Sequence, residues 1–506
     1  MELSNSQKEA EIRLLKFIFD INRNNNFFLL TGSAGTGKST LISYILNDDR
    51  FKKKKIVFSA TTNKAVSILE KMGSSKIKNR EIIYLTIQKL LNIKRKIDKD
   101  GNELFEPSQN VKKAKSIFNY DIIVIDESSM ISKDIISEIN KIKSRIKGKI
   151  IFLGDKAQLP PVNEIESSIF NQTINNFELQ EIMRYNGNLV LLANKFRDLV
   201  FNRDIKIKFK DFKNENIKIY KDYNKWLVNY TNKLHKLIKK ENFNFEKIPI
   251  FLVYTNLMCD KINNGIRNIL FPNVSDKFIV GEIIIFNNYY YNTECKTKYY
   301  TSQKMQIKNI KNEKYTWYNY ISKLLEQLEL IFNKFILGCS ALISDEEIEN
   351  IKNFIFAKIK NIFHNIPNID VSYYNMTLQN EKKILVLSDV SKNEFSLKME
   401  EIKDKLKNFK KSISKKYKNN SELKILIDAI MLNVWEYFYI QVLDIFADIG
   451  YGYCITTHKS QGSTFNNVYV HLNNIIKRNN NEEESYRCLY TAITRTSKKI
   501  NILISD

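Results

Sequence analysis

Cysteine is scarce and scattered in this chain. Its five residues, Cys259, Cys295, Cys339, Cys454 and Cys488, include no C-x-x-C pair. That spacing argues against a disulfide framework and against a zinc site, and it fits a reducing compartment. Histidine is rarer still, with four dispersed residues. No apolar run approaches the ~18–20 residues of a membrane span, and the opening MELSNSQKEAEIRLL lacks a secretory signal pattern. The expectation is a soluble, intracellular protein with no membrane partner.

Positive charge, by contrast, is abundant. Lys and Arg number 80 against 56 Asp and Glu, a formal net charge of +24 over 506 residues. Such a balance suits a polyanion, most simply a nucleic-acid backbone, although joint enrichment in Lys, Asn and Ile also fits an AT-rich gene. The length suggests several domains of about 100–200 residues.

Residues 32–40 read GSAGTGKST and follow the apolar run Phe27-Phe28-Leu29-Leu30. This is the G-x-x-x-x-G-K-[ST] pattern, with a strand before it and an amphipathic stretch after it. Small residues let successive backbone N–H groups close around phosphate oxygens, at the positive end of the following helix. Gly32, Ala34, Gly35, Thr36, Gly37 and Thr40 would form the cradle. Lys38 would bring a mobile charge to the outer phosphates, and Ser39 a hydroxyl for Mg²⁺. The pattern points to ATP or another nucleoside triphosphate.

Strand-like runs at 27–30, 55–59, 121–125 and 149–153 alternate with helical stretches. Alternation of this kind predicts a parallel α/β sheet with its ligand at the carboxyl ends of the strands. A second series, at 248–254, 453–456, 468–471 and 499–504, predicts another sheet of the same class, interrupted by a long insert. In DIIVIDESSM, residues 121–130, a β-branched strand delivers Asp126 and Glu127 to that edge. Asp126 is placed to hold Mg²⁺ through water, and Glu127 to orient and deprotonate an attacking water. In FLGDKAQLPPV, residues 152–162, Gln158 is suited to sensing the γ-phosphate.

These segments, with FSATTNKAV, LQEIMR, CITTHKSQGSTF and LYTAITRTSKK, stand in the order of superfamily 1 helicase motifs. The YTAITR and HKSQG forms resemble the 5′-to-3′ branch, the RecD and Dda helicases, with Pif-type helicases close by. The resemblance implies two RecA-like motor domains, with ATP and Mg²⁺ as cofactors. It implies an ATP-dependent helicase moving 5′-to-3′ on single-stranded DNA. By the same resemblance Arg184 and Arg495 reach the γ-phosphate across the domain cleft, and guanidinium suits that task because it stays charged and forks onto phosphate oxygens. Gly462 lies near the phosphates, and Gln7 matches the N-terminal glutamine that reads adenine.

The implied division is a first motor domain over 1–184 with a hairpin insert at about 92–108, a second over 185–286 and 449–506, and an insert over 287–448. The insert resembles the family only at its start, where 275–288 could open an SH3-like β domain before Lys-rich helical stretches at 346–362 and 400–416.

DNA contacts are expected from Thr61, Thr62 and Asn63 after a strand end and from Thr86 and Gln88 in YLTIQKLL in the first domain, and from Thr457, His458 and Lys459 after a strand end in the second. Hydroxyls and amides there could bind phosphates without reading sequence. Asp100-Gly101 marks a tight hairpin turn. It is either the pin that splits a duplex, with Phe105 stacking on a base, or a surface hairpin with Phe105 in its own core. The expected partners are single-stranded and forked DNA, and replication or repair proteins through the insert, for a monomeric motor. An RNA helicase or a translocase without strand separation would share every motor motif. A non-hydrolysing scaffold would not need Lys38, Asp126, Glu127, Gln158, Arg184 and Arg495 intact.

Overall fold

The computed structural model describes residues 3–21, 26–76, 82–107, 116–172, 175–181, 188–202, 207, 209–238, 248–292, 296–316, 326, 330, 344–364, 370–416, 421–477 and 481–504. Arg184 lies outside them. The chain forms two compact units: one of residues 1–93, 108–275 and 451–506, the other of 94–107 and 276–450.

The first unit holds two parallel sheets. The first sheet orders its strands β3-β2-β6-β7-β1-β8. They are β1 (Phe27–Gly32), β2 (Ile56–Ala60), β3 (Ile82–Thr86), β6 (Ile122–Asp126), β7 (Lys149–Gly154) and β8 (Asn175–Leu179). Alternation explains why it is buried on both faces. Phe28, Leu30, Phe58, Val124 and Leu153 join one core, while Phe27, Leu29, Val57, Ile125 and Phe152 join the other. Side chains two apart share a face, so an unbroken apolar run supplies both. Register then sets the site: Thr31 pairs with Gly154 and Ala60 with Asp126, aligning the carboxyl ends of four strands.

The second sheet orders β18 (Cys454–Thr456), β10 (Ile250–Val253), β19 (Phe465–His471), β20 (Thr496–Leu503) and β9 (Ile217–Tyr220), again parallel. An aromatic cluster packs on it: Phe251 meets Trp226 edge-on at 4.6 Å and Tyr230 at 4.3 Å. The sequence runs located eight of these strands. The strands β3, β8 and β9 were not singled out; β3 and β8 form the two edges of the first sheet and β9 one edge of the second, and edge strands carry weaker apolar signals because burial there is partial.

The second unit is built differently. A five-stranded sheet orders β16 (Lys383–Leu387), β15 (Asp370–Leu378), β14 (Lys304–Thr316), β11 (Ile283–Phe286) and β17 (Ile449–Tyr451). Its β11-β14-β15-β16 pairings are antiparallel. A short hairpin joins β12 (Tyr290–Asn292) to β13 (Thr297–Tyr299). Helices Asp345–His364, Asp389–Lys416 and Ser421–Phe438 share one core that includes Ile355, Ile402, Val434 and Trp435. The long antiparallel β14-β15 pair escaped the sequence reading, because Lys and Asn dominate β14 and leave no clean alternation.

The hairpin of β4 (Ile93–Ile97) and β5 (Glu103–Pro107) contributes Ile97 to that helical core. Its turn is larger than a two-residue loop. Asp98 accepts from the backbone of Asp100 and Asn102, both at 2.8 Å, and Gly101 N–H donates to Asp98 O. Gly101 sits at φ +80°, and a Cβ there would lie 2.5 Å from the Trp435 ring, so glycine answers both turn and contact.

Candidate nucleotide site and nucleic-acid surface

The carboxyl edge of the first sheet, together with part of the second half of the motor unit, encloses a cavity of about 280 Å³. Its phosphate-loop wall is Ala34, Gly35, Gly37, Lys38, Ser39 and Thr40; Gly32 and Thr36 lie behind it, Thr36 fully buried. Lys38 Nζ donates to Gly32 O at 2.7 Å and Ser33 O at 3.1 Å, so its charge rests on carbonyls that a phosphate could replace. Ser39 Oγ donates to Asp126 Oδ2 at 2.6 Å. A hydroxyl and a carboxylate oxygen this close form a hard-oxygen donor pair that fits Mg²⁺.

Glu127 follows β6 with a left-handed backbone, φ +53°, rare for a residue with a side chain. Burial pushes its pKa above the usual value; Arg495 and Lys38 oppose that, while Asp126 and Asp155 add to it. Arg495 is 5% exposed, and its Nη1 lies 3.7 Å from Glu127 Oε1. Its Nη2 donates to Gln158 Oε1 at 3.2 Å. Gly462 faces the first half so closely that a Cβ would meet Ala65 Cβ at 2.9 Å. Lys38, Ser39, Asp126, Glu127, Gln158, Gly462 and Arg495 therefore converge on one cavity.

Gln7 lines the same cavity, but both ends of its amide are engaged within the chain. Oε1 accepts from Ser4 N–H at 3.1 Å in a helix-capping box, and Nε2 donates to Thr36 O at 3.0 Å. It braces the phosphate loop as it stands.

The expected nucleic-acid residues divide. Thr61, Thr62 and Asn63 are half-buried after β2, with Thr62 Oγ1 accepting from Ala65 N–H at the start of helix Asn63–Lys76. Gln88 is half-buried too. Thr86 is buried and caps the short helix Ile87–Leu90. Thr457 is fully buried and its hydroxyl donates to Val253 O at 3.3 Å. The hydroxyls of Thr86 and Thr457 are thus engaged within the chain itself. Thr456, not Thr457, caps the helix Thr457–Ser460. His458 and Lys459 stay partly exposed; burial lowers the His458 pKa against the pull of Glu484. Phe105 is 67% exposed, so it lies in no core of its own hairpin.

Sequence reasoning missed several residues that join the two halves. Tyr490 OH reaches Asp155 and Ala34, Arg487 Nη1 donates to Gln158 O at 3.2 Å, and Thr491 Oγ1 accepts from Leu159 N–H at 3.1 Å. Gln461 Nε2 donates to Leu159 O at 3.0 Å. Three of the four lie in the LYTAITR and HKSQG segments. Their presence there was a signal, but their partners were not.

A phosphate-cradling loop, a hydroxyl-carboxylate pair and a cross-cleft arginine on paired parallel sheets define a P-loop NTPase motor with two RecA-like halves. Residues 18–164 match an AAA domain, and residues 451–503 a UvrD-like helicase C-terminal domain. The chain is 31% identical to an uncharacterized protein of Acanthamoeba polyphaga mimivirus, over 97% of this chain and 98% of that one. It is 26% identical to the RecBCD enzyme subunit RecD of Buchnera aphidicola, over 98% and 73% respectively. Against the ATP-dependent DNA helicase dda of Enterobacteria phage T4 it is 26% identical, over 56% and 61%. The chain belongs to the superfamily 1 helicases of the RecD, Dda and Pif type. Among the described residues no helix is long and apolar enough to cross a membrane, and no cluster of His, Cys, Asp and Glu has metal-site form.

Proposed function

We propose that this protein hydrolyses ATP to move 5′-to-3′ along single-stranded DNA and to separate duplex strands. The observation that carries the reading is Arg495 beside Glu127 and Gln158, facing Lys38, Ser39 and Asp126 across one cavity. Lys38 and the loop amides bind the phosphates. Ser39 and Asp126 would hold Mg²⁺, which would supply positive charge beside the phosphates. Glu127 orients the attacking water and takes its proton, and its raised pKa suits a base. Arg495 stabilises charge that develops on the γ-phosphate. Because it comes from the other half of the motor, hydrolysis requires a closed cleft. Arg184 is assigned the same task.

Closing and reopening would move two strand grips alternately, with Thr61, Thr62, Asn63 and Gln88 in one and His458 and Lys459 in the other. Phe105, exposed on the β4-β5 hairpin, is the candidate for the strand-splitting contact. DNA rather than RNA is favoured by the likeness to Dda.

The test is unwinding of matched duplexes with either a 5′ or a 3′ single-stranded tail, DNA and RNA compared, with Lys38→Ala as control. Unwinding from the 5′ tail of DNA is expected. Unwinding from the 3′ tail would overturn the polarity. ATPase stimulation without unwinding would leave a translocase.

A further inference from the structure

One buried hydroxyl from the second half of the motor, outside the residues assigned above, reaches two points of the first half. Tyr490 is 1% exposed and lies on helix Glu482–Thr494, whose C-terminal cap is Arg495. Its OH donates to Asp155 Oδ2 at 2.7 Å and accepts from Ala34 N–H at 3.1 Å. Ala34 belongs to the phosphate loop, and Asp155 directly follows β7.

Asp155 continues the path. Its Oδ1 accepts from Ala157 N–H at 3.1 Å and its Oδ2 from Gln158 Nε2 at 3.4 Å. Gln158 Oε1 in turn accepts from Arg495 Nη2 at 3.2 Å. The bonds run from phosphate loop to Tyr490, Asp155, Gln158 and Arg495, and Arg495 returns to the helix that began the path. Two neighbours on that helix, Arg487 and Thr491, hold the segment 156–159. Of the three, Tyr490 reaches the phosphate loop as well.

A phenylalanine ring would fill the same space, so the hydroxyl's contribution lies in its two bonds. Burial, with the Asp155 charge adding to it, pushes the phenol well above its ordinary pKa and keeps it a donor. A helix is stiff over the five residues from Tyr490 to Arg495, about 7.5 Å of rise, so fixing one end places the other.

We propose that Tyr490 is a positioning residue: its hydroxyl ties the phosphate loop to Asp155 and thereby sets Arg495 against Glu127. The inference rests on the ATP-hydrolysing reading above, and it requires no contact between Tyr490 and nucleotide. Because the effect passes through Arg495, losing the hydroxyl matters only while that guanidinium is present.

The experiment is a double-mutant cycle of Tyr490→Phe and Arg495→Ala in the full chain, reading kcat and KM for ATP with saturating single-stranded DNA. Tyr490→Phe is expected to lower kcat about tenfold, the scale of one buried hydrogen bond, with KM moved less than about twofold. The double variant should be no slower than Arg495→Ala alone. Losses that multiply, or a Tyr490→Phe enzyme with normal kcat, would overturn the proposal. Asp155→Asn leaves an oxygen for fewer donors and should show the same dependence on Arg495, so it decides the matter should Tyr490→Phe not fold. A wild-type chain without ATPase would defeat the functional reading instead. An active wild type beside an unaltered Tyr490→Phe defeats the positioning role alone.

Discussion

In the motor unit Lys38 and Asp126 line a cavity and rest on partners that a ligand can replace. In the second unit Lys410, Arg95 and Lys99 close on carboxylates of the same unit. Lys38 lies on two loop carbonyls, and Ser39 and Asp126 hold each other. Lys410, by contrast, is 8% exposed at its side chain and sits between Asp100 at 2.7 Å and Asp428 at 3.2 Å. Arg95 bridges Glu103 at 2.9 Å and Asp444 at 2.7 Å, and Lys99 pairs with Asp428. Tyr439 OH donates to Gly101 O at 3.2 Å. A buried cation with carboxylates on two elements is a clip, whereas one held by backbone carbonyls beside a cavity is ready to exchange partners. The same residue types thus mean a site in one region and a splice in the other.

The largest expected effect tests the exchangeable side. Lys38→Ala should abolish phosphate release while the fold persists; robust turnover would remove the cavity from the chemistry. Next, Arg495→Ala should lower kcat by ~10³-fold or more with nucleotide affinity nearly kept, measured by steady-state kinetics and nucleotide titration. A near-normal kcat would place Arg495 among structural ion pairs.

The clip is broken by Gly101→Val, which forces a side chain onto Trp435 at an unfavourable φ. A loss of about 2–4 kcal/mol in the second unit is expected by denaturant unfolding, with a smaller effect on ATP hydrolysis. An unaltered unfolding curve would mean that the hairpin is not held there.

Titration separates the two regions by sign. Glu127 is raised, and a base works only when ionised, so kcat should fall on acidification at a pH above the ordinary carboxylate range. Asp428 is lowered despite burial, chiefly by Lys99 and Lys410; Asp98 is lowered despite burial by its bonds from Asn102 and Asp100. Depressed carboxylates contribute stability that is full above their unfolded pKa and lost as pH falls through the folded one. The clip should therefore outlast the activity on the way down, loosening only below about pH 4. Comparing pH–rate and pH–melting curves checks this, and coincident curves would break the contrast. The smallest effect is Phe105→Ala, with stability changed by less than about 0.5 kcal/mol. Unwinding per ATP should drop with ATPase unchanged, and unaltered unwinding would take Phe105 off the strand-splitting contact.

Much of the motor was legible because parallel strands buried on both faces must be continuous apolar runs, and phosphate chemistry needs particular residues at fixed spacing. Thr86 and Thr457 were less legible for a related reason. A threonine after a strand reads the same whether its hydroxyl faces a ligand or caps a helix, and the choice depends on burial. The hairpin turn at 98–102 was visible through Asp100-Gly101, but its docking was not, since Trp435 lies more than three hundred residues away in the chain.

By itself, then, the amino-acid sequence determined the two parallel sheets, the phosphate loop and the identities of Lys38, Ser39, Asp126, Glu127 and Gln158, because these depend on local period and short spacing. Only the tertiary structure decided that Arg495 meets Glu127, that Tyr490 joins Ala34 to Asp155, and that Lys410 clasps the hairpin. Each of those pairs unites residues far apart in the chain, and burial, which no single segment encodes, sets what their charges and hydroxyls can do.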